Sequence, residues 1–405
     1  MTSAIDAVPL TSEGGSRLHA QTAELRAAGP AVRVGLPEGV TAWSVTRGDV
    51  VKRLMNDSQV SKDARRHWPG YRAGAIRWLY SWVDVQSMLT ADGADHARLR
   101  TLIGKAFTPR RIEALRPMVE RIVNDLLDAM ESHRGDASVD LRAHFSYGVP
   151  TEVICGMFGV PGEQRADMLR VIDSVLATDV TEEESEAIGR DLFRVMTTLI
   201  ETKRRSPGDD MTSLLLDAHE DGDRLSEAEL VSTLILMIGA GSETAVALIN
   251  HAVRELLSHP GQLAAVLADP RRWEDVVEET LRLHPPIVHM PLRFAVTDID
   301  LGDGVTIRAG DPILVGFGAH GRDPGVHERP EAFDIDRPGK EHLAFGHGLH
   351  YCLGAPLARL EAMVALPALF DRFPRLALAA DEPSPQRSFI GNDLTRLPVR
   401  PGPPA

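Results

Sequence analysis

Ten consecutive residues near the C-terminus carry the densest chemistry in the chain: Phe345, Gly346, His347, Gly348, Leu349, His350, Tyr351, Cys352, Leu353 and Gly354. Their three glycines permit positive φ and let backbone come close to a large flat partner, at a cost in chain entropy. Beyond the cysteine, Leu353, Leu357, Leu360 and Val364 recur at the spacing of one helix face, and Pro356 suits the first turn of that helix. Cys352 is therefore expected at a helix start, where free N–H groups and the positive helix end favour a thiolate, as metal ligand or as nucleophile. The competing reading is a buried, inert thiol, because unpaired cysteine is among the most buried residue types. The glycine loop favours the ligand. The other cysteine, Cys155, lies in an apolar run over 153–158 and reads as buried. A single cysteine cannot complete a structural zinc or iron–sulfur site, so the metal must already be held by something else.

Three further groupings could do chemistry. His96 and Arg100 stand four apart and share a helix face. A second grouping sits inside a long helix that opens on the capping box Ser226–Glu229 and runs without proline to about Leu257, roughly 45 Å. Its middle is apolar on all sides and so expected to be buried. Yet Gly239 and Gly241 interrupt it, each weakening a helix by about 1 kcal/mol relative to alanine. Something is expected to approach closely there. Ser242, Glu243 and Thr244 follow; Thr244 can bond the carbonyl of Ala240 and bend the helix, or an opened turn can leave room for water in a relay of hydroxyl and carboxylate. The third grouping is Glu279 and Arg282, at i and i+3 before Pro285 and Pro286, by itself a weak surface pair.

These groupings together resemble the haem-thiolate monooxygenases, the cytochrome P-450 superfamily. Phe345, Gly348, Cys352 and Gly354 match its pattern Phe-x-x-Gly-x-x-x-Cys-x-Gly, and Ala240 to Thr244 match its Ala/Gly-Gly-x-Asp/Glu-Thr motif. The resemblance implies a mainly α fold with small β-sheets, one domain over residues 1–405, with haem b between the long helix and the cysteine loop. Cys352 would be the axial thiolate, flanked by Phe345, Gly346, Gly354, Ala240 and Gly241. Thr244 and Glu243 would manage protons, while His96, Arg100, Arg293 and His350 hold the propionates. Glu279 and Arg282 would lock onto Arg337 as a buried structural ion pair. Two departures appear: Gly321 replaces the usual asparagine, expected to be neutral, and Pro367 should kink or end the helix after Cys352.

Across the whole chain, 44 Lys and Arg against 58 Asp and Glu give a net charge of −14, which argues against nucleic acid or anionic membrane as partners. Two cysteines suit a reducing cytoplasm. No signal-like segment or run of eighteen apolar residues occurs, so a soluble monomer is expected. Alternation over 31–46 around Pro37 and Gly39 predicts a hairpin. Three of the five tryptophans fall in an irregular stretch over 61–91, either a binding loop or a packed cover. In family terms, Met88, Leu89, Val175, Leu176, Ile235, Ala240, Ile287, Met290, Phe389 and Ile390 would wall the substrate chamber. All are apolar, which suits a steroid narrowly over a macrolide or other polyketide. A haem-thiolate isomerase or peroxygenase and a non-enzymatic haem sensor are the other classes. Without a flavin or iron–sulfur motif, electrons would come from a ferredoxin and its reductase. Lys105, Arg110, Arg111 and Arg359 would dock the ferredoxin, or are solvated charges.

Overall fold

Six strands build the larger sheet of the computed structural model, which describes residues 7–175, 182–220, 223–381 and 383–402. They are β1 (Val8–Pro9), β2 (Val32–Gly35), β3 (Thr41–Val45), β4 (Val60–Ser61), β5 (His289–Ala295) and β6 (Pro312–Gly316), in the spatial order β1-β2-β3-β6-β5-β4. The hairpin over 31–46 is β2 and β3, antiparallel with Val32 opposite Ser44. β6 runs parallel to β3 and antiparallel to β5. Across that second pairing β5 holds one residue more than β6: Arg293 faces Ile313 and Met290 faces Val315, so Pro291 and Leu292 both oppose Leu314. Such a bulge bends the strand and re-aims its side chains.

The helices that position the site are α1 (Gly15–Ala28), α2 (Gly48–Met55), α3 (Gly93–Gly104), α4 (Arg116–Glu131), α5 (Gly148–Met157), α6 (Glu182–Arg205), α7 (Glu227–Ser258), α8 (Trp273–Leu283) and α9 (Ala355–Arg372). The capping box of α7 forms as read, with Ser226 N–H donating to Glu229 Oε2 at 2.8 Å and Glu229 N–H to Ser226 Oγ at 3.3 Å. By length and composition α7 could cross a membrane, but most of its apolar stretch is buried here against α5, α6, α8 and α9, so it is a core helix.

Buried side chains form two clusters, one around α4, α5, α7 and α9 and one around the sheet. The main cavity is lined from both, and so lies where they meet.

Three expectations change. α9 neither ends nor breaks at Pro367 but continues to Arg372, because Leu366, Leu369 and Phe370 are buried and their packing offsets the missing N–H. Gly321 is no neutral replacement: a Cβ there would come within 2.1 Å of the Arg282 carbonyl oxygen, so only glycine fits. The aromatic stretch is both cover and wall. Trp78 packs edge-on against Phe389 and Trp68 stacks on Phe294, whereas Trp82 reaches the cavity.

Candidate active site

The cysteine loop turns at two glycines. Gly346 and Gly348 adopt φ of 73° and 72°, and a Cβ on Gly348 would sit 2.2 Å from Asn56 Oδ1. The Cys352 N–H closes the loop on the Phe345 carbonyl at 2.8 Å, and Gly354 caps α9 two residues later. Cys352 lies deep in the fold, but it is accessible from within because it lines the cavity. Burial pushes its thiol above the ordinary range, against the lowering effect of the Gly354 and Ala355 N–H groups, Arg100 and Arg359. The helix end alone therefore does not make the thiolate. A bound cation would, by replacing the lost solvation with direct charge. Cys155 is buried, its thiol pushed up to about 11 by burial, and it takes no part.

Opposite the loop, α7 presents Ile235, Ala240, Gly241 and Thr244 to the cavity, and Met88, Leu89, Ile287 and Met290 complete an apolar wall. Phe389 does not reach it, being packed under Trp78, and Ile390 faces a small separate pocket beside Trp82 and Ile287. Of the expected wall residues, Leu176 and the Val175 side chain lie outside the described residues.

His96, Arg100, Arg293 and His350 do converge on one side of the cavity. The His96 and His350 rings are 4.3 Å apart, and Arg100 Nη2 donates to the Tyr351 carbonyl at 2.8 Å. Two buried nitrogens here, His96 Nε2 and Arg293 Nε, have no partner. Burial depresses both imidazoles, His350 to about 4, and brings Arg293 down to about 10. A buried guanidinium N–H and a buried imidazole nitrogen without partners fit a carboxylate-bearing ligand.

Two members of this cluster escaped the sequence reading. Burial would raise the Asp92 carboxyl, but hydrogen bonds from His350, Ser61 and the Lys62 N–H hold it at about 2. The Lys62 ammonium is wholly buried, and burial with Arg293 alongside lowers it to about 7. Neither residue belongs to a spaced motif. They are brought together by β4 and the start of α3.

α7 differs from expectation at three points. It runs unbroken through Gly241, with no opened turn, and Thr244 Oγ1 donates to the Ala240 carbonyl at 2.7 Å. The close neighbour of Gly241 is protein: a Cβ would lie 2.7 Å from Ile154 Cδ1 of α5. Glu243 does not line the cavity; it pairs with Arg142 at 2.8 Å, and Arg142 also holds Asp393 at 3.2 Å. Thr244 lines the cavity, whereas the neighbouring Glu243 is turned toward Arg142, about 100° further round the helix. The carboxyl that does open on the cavity is Glu361 of α9, four residues beyond Leu357 on the helix's apolar face. Burial pushes it up to about 8, which keeps it protonated at neutral pH, and its Oε1 has no partner.

Glu279, Arg282 and Arg337 assemble as expected. Glu279 accepts from Arg282 Nε and Nη2, both at 2.8 Å, and from Arg337 Nε at 3.2 Å, with the Glu279 and Arg282 side chains fully buried. Arg282 also donates to the Pro330 and Ala332 carbonyls at 2.8 Å. Of the basic surface residues, Lys105, Arg110 and Arg111 are exposed. Arg359 is engaged elsewhere, paired with Glu278 at 2.6 and 3.0 Å and lying over the Phe345 ring.

The family model described as Cytochrome P450 matches residues 38–269 and 273–398. The chain is a cytochrome P450. The P450 relative 2-hydroxy-5-methyl-1-naphthoate 7-hydroxylase of Streptomyces carzinostaticus is 46% identical over 95% of each chain. Among solved P450 structures, CYP154A1 from Streptomyces coelicolor A3(2) superposes with a TM-score of 0.91 at 47% identity, covering 97% of this chain and 99% of that one. Testosterone-bound CYP154C4 from a Streptomyces strain superposes with a TM-score of 0.93 at 40% identity, covering 99% of each. As a P450 monooxygenase the chain uses haem ligated by a cysteine thiolate, and the cavity that Cys352 shares with the unpartnered nitrogens of His96 and Arg293 has the donor set such a group requires.

Proposed function

We propose that this P450 hydroxylates a rigid, lipophilic, multi-ring molecule, and that a steroid is the class its chamber fits best. The observation that carries this reading is the wall opposite Cys352. Trp82, Met88, Leu89, Ile235, Ile287 and Met290 offer flat and flexible apolar surface, and the charged groups among the described lining residues lie in the His350 cluster or on α9. An amine-bearing macrolide would leave its cation unpaired against that wall, at a desolvation cost that apolar contact does not offset. The similarity to a testosterone-bound P450 points the same way, and the naphthoate hydroxylase acts on a substrate that is also flat and fused.

Haem, which Cys352 would hold as its thiolate ligand, would supply dioxygen activation when bound. The chain's own groups do the rest. His96, Arg100, Arg293 and His350 bind the propionates. Phe345, Gly346 and Gly354 would flank the thiolate ligand, and Ala240 and Gly241 line the cavity from α7. Thr244 holds water at its hydroxyl. Glu243, tied to Arg142 behind α7, fixes the helix and leaves the cavity-facing proton role to Thr244. Electrons come from a ferredoxin, in the cytoplasm, docking beside the cysteine loop where Lys105, Arg110 and Arg111 are exposed and Leu349 stands 75% accessible.

Titrating the purified protein with testosterone, a macrolide and a naphthoate tests the substrate class. A low-to-high spin shift with testosterone is expected. A shift with the macrolide and none with the steroid would reverse the choice. Carbon monoxide added to the reduced protein should give a thiolate-type Soret band, which Cys352→Ala should abolish.

A further inference from the structure

Met290 and Arg293 both line the cavity, although they stand three apart on β5. In a regular strand such residues point to opposite faces. The bulge that sets Pro291 and Leu292 against Leu314 alone brings them to one side.

That bulge needs support. Its carbonyls leave the regular ladder, and β4, the strand on β5's other flank, pairs only as far as Val60 with Ala295 and Ser61 with Phe294. The next residue is Lys62. Its Nζ donates to the Pro291 carbonyl and the Leu292 carbonyl, each at 3.1 Å, and the side chain is 2% exposed. Buried carbonyls without donors are costly, so the ammonium stands in where the strand has stopped. The Lys62 N–H bonds Asp92, which His350 meets at 3.4 Å, so the same residue also ties the cysteine loop to this corner.

We propose that Lys62 is a positioning residue that pins the β5 bulge, and that it thereby sets cofactor retention through Arg293 and ligand fit through Met290 at once. Charge supports the assignment: Lys62 and Arg293 both feel the charge of Asp92, Arg100 lines the same cavity, and this excess of basic side chains over one carboxylate suits an anionic group.

The test uses the haem-loaded protein. Haem release to excess apomyoglobin is followed by Soret absorbance, and 4-phenylimidazole affinity by its spectral shift. The second probe fills the chamber whatever the natural substrate is, so failure of the steroid reading does not affect the result. Lys62→Met keeps the reach and removes the donors. It should speed haem release and weaken 4-phenylimidazole together, each by about tenfold, the scale of one charge-assisted hydrogen bond. Arg293→Gln should speed release without weakening the probe, and Met290→Ala should do the converse. If Lys62→Met changes only one of the two measurements, or neither, the proposal is overturned. Should Lys62→Met not fold, Lys62→Gln is measured by the same two readouts, with the same joint change expected and the same outcomes excluding it.

Discussion

The two sides of the cavity are held by different physics. On the cysteine side, Glu279, Arg282 and Arg337 form a closed buried network, and the loop turns at two positive-φ glycines, of which Gly348 would bring a Cβ against Asn56. On the opposite side the wall is apolar and almost free of directional bonds, with Thr244 to Ala240 the exception. The first arrangement fixes one geometry, because every donor and acceptor has one place to go. The second defines a volume that many apolar molecules could enter. Chemistry is rigidly specified here, while selectivity rests on shape.

The sharpest way to break the contrast is at Glu279. Glu279→Gln leaves Arg282 buried without its charge partner, which should cost about 3–5 kcal/mol. Soluble protein with a normal haem-to-protein absorbance ratio would show that the network is dispensable.

Acid should loosen the back of α7 next. His251 and His284 stack with ring centroids 4.5 Å apart, His19 lies near, and burial holds all three well below the usual histidine range. Their folded pKa values are lowered, so the unfolded chain binds more protons below about 6.5. Stability from keeping them neutral is therefore complete above that pH and lost as pH falls below it, by up to about 1.4 kcal/mol per group per pH unit. Urea midpoints at pH 7.5 and 5.5 measure this, and equal midpoints would refute it.

A third test compares two glycines. Gly348→Ala places a Cβ against Asn56 in a left-handed conformation, and should lower stability by about 1–3 kcal/mol, read as a fall in melting temperature. Gly241→Ala should be close to neutral, since better helix propensity, about 1 kcal/mol, offsets the shift forced on Ile154. Adding Ile154→Val should turn it stabilising. A large loss in Gly241→Ala alone would show that something other than α5 needs that space.

The same contrast explains what could be read from the chain. Cys352, its glycines and the Ser226 capping box were legible because rigid geometry demands particular residue types at fixed spacings, whereas the Glu279 and Arg282 pair, by spacing alone a weak surface pair, was read through the family resemblance. Lys62, Asp92 and Glu361 were not, since their roles arise where β4, α3 and α9 meet other parts of the fold. Glu243 was misjudged for a related reason: the sequence places it beside Thr244, and only Arg142 and Asp393 show which way it turns. Phe389 illustrates the apolar side, where a core residue and a wall residue have the same chemistry and only position tells them apart.

The Thr244 bond to Ala240 has a consequence for direction. A carbonyl can only accept, so the hydroxyl's single proton is committed to it and only lone pairs remain toward the cavity. Any water there must point a hydrogen at Thr244, which leaves its oxygen facing outward as the next acceptor. The residue thus acts as a fixed terminus that gives a file of water molecules one orientation, and serine could do the same while valine, with the same outline, could not.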